Sequence, residues 1–187
     1  MATTVKRLTY EDLEAIPRER PGDRHEIING ELVVTPSPAP MHQIVSRDLF
    51  RLIDRHVKTR ALGEVLYAPV DVRLTPDNVL IPDIIFIARD RLHIIGPKTI
   101  DGPPDLVVEI LSPGTRHRDL DTKRAVYARF GVQEYWLVDP DARTVAVLAL
   151  AGNKFERFSG GEAGSITSRV LPGFALTVKD VFAEVEE

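Results

Sequence analysis

Glu109 stands inside the apolar run Asp105-Leu106-Val107-Val108-Glu109-Ile110-Leu111, a pattern that reads as an interior β-strand. An ionised carboxylate placed there loses hydration unless a positive group compensates it. Two other residues are candidates for its company. Asp83 opens a second apolar run, Pro82-Asp83-Ile84-Ile85-Phe86-Ile87, and Lys123 interrupts the apolar face of the next helix. At about 100° per residue, Leu120, Val126, Tyr127 and Phe130 share one arc, and Lys123 points near its middle. Two carboxylates and an ammonium aimed inward are a set that suits a hard divalent cation and a phosphate. Asp83 and Glu109 would hold a Mg²⁺ that polarises the phosphate and acidifies an attacking water. Lys123 would stabilise the developing charge or orient that water.

Each residue also has a plain structural reading. Glu109 and Lys123 can form an ion pair with no chemistry. Pro-Asp is a common strand entry. His42 and Glu26 are outer candidates: His42 also fits a helix-terminal or core histidine, and Glu26 a solvent-facing strand residue. Asp105 suits loop backbone, and Asp119 and Asp121 suit a helix macrodipole.

The elements that must position these groups follow from punctuation and periodicity. Thr9 caps a short helix over 10–16, and Asn29-Gly30 turns a hairpin over 25–34. Within the hairpin, the face carrying His25, Ile27, Leu32 and Val34 is the better core candidate, and Glu26, Ile28, Glu31 and Val33 share the other. A helix over 41–60 carries an apolar stripe of Val45, Leu49, Leu52, Ile53 and His56, with His42 on the same side. Strands are expected over 64–74 and 79–87, then the strand bearing Glu109, a helix over 116–130 and a strand over 134–138. A hairpin over 144–158, a strand near 167–171 and a helix over 179–185 complete the chain. The strand–helix–strand unit around 105–138 predicts an α/β fold, a mixed sheet with helices packed on it.

The totals limit the function. At 187 residues with 43% hydrophobic and 28% charged content, one domain spanning 1–187 with a substantial core is expected. No apolar stretch approaches a membrane span and Met1–Arg7 lacks a signal peptide's apolar stretch, so a cytoplasmic protein without membrane association is expected. The absence of cysteine excludes disulfides and thiolate zinc sites. A net charge of −4 argues against non-specific coating of nucleic acid, though not against a local basic groove. Basic residues cluster at Arg47, Arg51, Arg55, Lys58 and Arg60, and at Arg116, His117, Arg118, Lys123, Arg124 and Arg129; solvated helix faces are the alternative reading. Phosphate-cradling glycine loops, nucleophile-elbow serines and His-Glu-x-x-His motifs are missing.

Taken together, these residues resemble the Uma-two family of inferred endonucleases, within the PD-(D/E)XK restriction-endonuclease-like superfamily. The resemblance is carried by Glu26–Val33, His42, Pro82-Asp83, Pro104–Pro113, Asp119, Lys123, Tyr127 and Gly131–Pro140. It implies a restriction-endonuclease-like core with an added N-terminal hairpin and C-terminal strands. It also implies metal ligation by Asp83 and Glu109, with Mg²⁺ as cofactor and Mn²⁺ as a substitute. The superfamily lysine two residues after the second carboxylate is replaced by Leu111, and the family pattern moves that role to Lys123. Glu26 and His42 match recurring positions beside the metal site. The implied activity is hydrolysis of DNA phosphodiesters, with RNA as a further candidate substrate. A homodimer is compatible, since restriction-like folds often pair to cut both strands. Two alternatives stand beside it: a nuclease-fold module that binds nucleic acid or a protein without cutting, and a hydrolase of small phosphoesters. Alanine at Asp83 or Lys123 is expected to abolish nicking and to leave thermal stability nearly intact.

Overall fold

The structure, a computed structural model, describes residues 6–17, 20, 22–161 and 164–182. The chain is α/β, a central mixed sheet flanked by helices. Helix α1 (Tyr10–Ala15) precedes a hairpin of β1 (Arg24–Ile28) and β2 (Glu31–Thr35). Asn29 and Gly30 join them with φ of 53° and 81°, the left-handed pair that a two-residue hairpin loop needs. Helix α2 (Pro40–Arg60) follows, then β3 (Gly63–Tyr67), β4 (Asp71–Thr75), β5 (Asn78–Leu80) and β6 (Ile84–Ala88). After a 3₁₀ turn at Arg89–Ile94 come β7 (Thr99–Asp101) and β8 (Leu106–Ile110). A π-type turn (Arg118–Lys123) runs into α3 (Arg124–Arg129), followed by β9 (Glu134–Asp139), β10 (Thr144–Ala151) and β11 (Lys154–Gly161). Strands β12 (Ser165–Thr167) and β13 (Ala175–Thr177) and helix α4 (Val178–Phe182) close the described chain.

Six strands form the main sheet in the order β11-β10-β9-β8-β6-β3, and five form a second in the order β2-β1-β5-β4-β7. In the main sheet β8 and β9 are parallel, joined by the π-type turn and α3. That is the crossover expected from the strand–helix–strand pattern. Strands β6 and β8 are buried on both faces. Ile84, Phe86, Leu106, Val108 and Ile110 pack with α2 and the C-terminal segment. Ile85, Ile87 and Val107 pack on the opposite side with α3 and with Ile28, Val72 and Leu80 of the second sheet. Alternation along the strand therefore sends Glu109 to the α3 side.

Several expectations are corrected. The spans 64–74 and 79–87 are each broken, at Pro69 and Pro82, and their halves enter different sheets. Proline offers no N–H to continue a ladder, so the chain changes partner there. In the hairpin, β1 is buried on both faces, His25 and Ile27 on the expected one and Glu26 and Ile28 on the other, whereas in β2 Leu32 and Val34 of the expected face stay exposed and Val33 packs against the core. The helix expected over 116–130 begins with the π-type turn. A turn replaces most of the strand expected over 167–171, and residues 183–185 of the closing helix lie outside the described residues.

Candidate functional site

Strands β6 and β8 run antiparallel with Ile84 opposite Val108. Carried one residue further, this register sets Asp83 opposite Glu109. Asp83 sits just after Pro82, where the chain crosses between sheets, and is 2% exposed. Its Oδ1 accepts from the Arg24 guanidinium at 2.7 Å. Its Oδ2 accepts the Ile110 backbone N–H at 2.8 Å and meets His42 Nε2 at 3.2 Å. His42 is delivered from the first turn of α2, and its Nδ1 is buried without a hydrogen-bond partner. Burial alone would raise the Asp83 pKa, but His42, Arg24 and the Ile110 N–H outweigh it and hold the group down at about 2.

Glu109 has different company. Lys123 Nζ and the Tyr127 hydroxyl both donate to its Oε1, each at 3.0 Å. Lys123 also lies 2.9 Å from Glu26 Oε1 and 3.7 Å from Asp119 Oδ1. Glu26 reaches it from β1 of the second sheet while accepting the Ile81 N–H at 2.8 Å. Burial would strip the proton from Lys123, yet Glu109, Glu26 and Asp119 around it raise its pKa and hold it charged. Burial pushes Glu109 well above the usual carboxylate range. Lys123 pulls it down, but Asp119, Asp83 and Glu26 push it further up. The two directions agree physically, because one ammonium serves three carboxylates.

The structure thus gathers Asp83, Glu109, Lys123, Glu26 and His42, the residues singled out in the sequence, into one region. Glu26 points inward, not to solvent. Asp119 is buried against Lys123, so it is more than a helix-dipole residue. Asp105 accepts the Ala88 N–H and pairs with Arg91, and belongs to the loop. Sequence reasoning missed Arg24 and the hydroxyl of Tyr127. Tyr127 follows Lys123 by one helical turn, which is a usable signal; Arg24 carries none, because only the hairpin's placement brings it to Asp83.

Among the described residues, no group of three or more His, Asp and Glu side chains is arranged to hold an ion alone. The donor chemistry nevertheless suits a divalent cation. Four buried carboxylates, Glu26, Asp83, Glu109 and Asp119, face only two permanent cations, Arg24 and Lys123. Mg²⁺ commonly takes only one or two carboxylates, completing its shell with water and phosphate.

A groove of about 740 Å³ opens beside Asp83 and His42, with Arg24, Arg47, Phe50, Arg51 and Tyr67 in its wall. The first basic cluster of the sequence therefore contributes Arg47 and Arg51 to a cleft. The second is largely engaged: Arg116 pairs with Asp139, Arg118 donates to Thr35, and Arg124 donates to the Phe155 carbonyl. No described helix is long and apolar enough to cross a membrane.

Comparison with known proteins agrees with this architecture. The crystal structure of "a putative nuclease belonging to DUF820" from Anabaena variabilis superposes with a TM-score of 0.76 at 23% identity. The match covers 94% of this chain and 98% of that one, and it shows a shared fold. No curated protein matches the chain. The model of the Uma2 family, described as "Putative restriction endonuclease", matches residues 9–179. The chain belongs to the Uma2 family.

Proposed function

We propose that this protein is a single-domain, metal-dependent endonuclease that hydrolyses DNA phosphodiester bonds. The observation carrying this reading is that Asp83, in the wall of an arginine-lined groove, stands opposite Glu109 in the β6–β8 register, and Glu109 in turn pairs with Lys123. Asp83 and Glu109 would hold Mg²⁺, or Mn²⁺ in its place, which supplies Lewis acidity and a more acidic water when bound. Lys123, kept protonated by its three acids, offers N–H donors to charge that develops on a phosphate. Glu26 positions Lys123, and Tyr127 fixes Glu109 through its hydroxyl. His42 and Arg24 orient Asp83. Cutting both strands of a duplex calls for two such sites, which a homodimer would supply.

A second reading rests on the same contacts. Asp83 and Glu109 already have protein donors, as a nuclease-fold module that binds without cutting would require. Titration calorimetry with Mg²⁺ and Mn²⁺, paired with nicking of supercoiled plasmid, separates the two. The nuclease reading expects saturable binding and nicking, both lost in Asp83→Asn and Glu109→Gln. Unchanged cleavage in both variants would exclude the site.

A further inference from the structure

Tyr67 ends β3 at the edge of the main sheet and remains 61% exposed in the wall of the groove. Phe50 of α2 holds the ring in place by an edge contact, with centroids 4.8 Å apart at 67°. Cationic groups flank this aromatic pair: Arg51, 3.9 Å from Asp48 with its side chain 66% exposed, and Arg24, which pairs with Asp83 at 2.7 Å. The start of α2 adds to the positive character. Ala39 gives its first-turn N–H groups no side-chain acceptor, and such a helix start attracts anions. His42 on that turn carries the unpartnered Nδ1.

We infer that the groove binds an unpaired DNA strand, with one base stacked on Tyr67 and the adjoining phosphates on Arg51 and the start of α2. This inference rests on the nuclease reading and narrows its substrate to single-stranded or frayed DNA. An exposed ring beside arginines suits bases whose faces are open, since stacking on an aromatic side chain requires an unstacked base. Duplex DNA hides those faces and is held mainly by many phosphate contacts. A chain of net charge −4 with a short arginine wall is poorly equipped for that. The groove volume of about 740 Å³ lies within the range that encloses a small organic ligand, which accommodates a nucleotide.

The test is fluorescence anisotropy in EDTA, where neither metal binding nor cleavage intervenes. The probes are a labelled oligothymidylate, the matching duplex and the matching oligouridylate. The single DNA strand should bind at least about tenfold more tightly than the duplex. Tyr67→Ala should weaken it about 5- to 150-fold, the span expected for one stacked base. Tyr67→Phe should restore binding, and Arg51→Ala should weaken it and flatten its salt dependence. Equal affinity for strand and duplex, tighter binding of the RNA strand, or parental binding by Tyr67→Ala would overturn the inference. Absence of nicking together with Tyr67-dependent strand binding would remove the nuclease reading alone. Duplex nicking unaffected by Tyr67→Ala would instead remove this inference.

Discussion

Lys123 and Glu26 lie 2.9 Å apart, one on the crossover after β8 and the other on the N-terminal hairpin of the second sheet. Their contact ties the two sheets together at the acidic cluster, and it gives Lys123 a structural role. Lys123→Ala should therefore cost about 3–5 kcal/mol, because it strands buried carboxylates without their cation. This revises the expectation that thermal stability survives that substitution. Urea denaturation measures it, and a loss below about 1 kcal/mol would mean that the cluster is better hydrated than its burial indicates.

Tyr127→Phe keeps the packed ring and removes one donor from Glu109 Oε1. The expected cost is about 1–2 kcal/mol, near the worth of one buried hydrogen bond. Nicking should fall as well, since Glu109 loses a fixed orientation. Single-turnover rates at saturating Mg²⁺ would check the second effect.

Glu26→Gln should retain the Ile81 N–H contact and relieve crowding of negative charge. Stability should change by less than about 1 kcal/mol, while nicking drops about 10- to 100-fold because Lys123 loses the charge of one positioning partner. A parental rate would leave Glu26 as a scaffold residue only.

Asp139 provides a pH test away from the site. Burial would raise its pKa, but the N–H groups of Ala142 and Asp141 and the Arg116 guanidinium hold it below the ordinary 3.8. A depressed folded-state pKa contributes stability above the unfolded value, and that stability is lost as pH falls through the folded one. Asp139→Ala should lose about 1–2 kcal/mol at neutral pH, and its deficit against the parent should shrink below the ordinary carboxylate value. Thermal melts at pH 7 and pH 3 would show it; an equal deficit at both would refute the assignment.

Glu134 is fully buried, accepts from Trp136 Nε1 at 2.6 Å and takes the Arg169 N–H at 2.7 Å. It fastens the segment before β13 to β9. Glu134→Ala should cost about 1–3 kcal/mol by leaving an indole N–H and an amide unpaired. Hydrogen exchange near Arg169 should quicken, with little change in metal binding.

Much of this was legible locally. Periodicity placed α2 and β8, the Asn29-Gly30 pair placed the hairpin, and the apolar arc around Lys123 turned that side chain inward. These features depend on neighbours a few residues away, so short-range sterics and patterning suffice. Partner choice does not have that property. Whether the 64–74 and 79–87 spans stay in one sheet, and whether β1 of the hairpin is covered on both faces, depends on surfaces distant in the chain. The sequence alone therefore singled out Asp83, Glu109 and Lys123 as candidates for chemistry. Only the packing of the second sheet on the first decided that Glu26 joins Lys123 and that Arg24 meets Asp83, because those contacts exist only once two separately formed surfaces have docked.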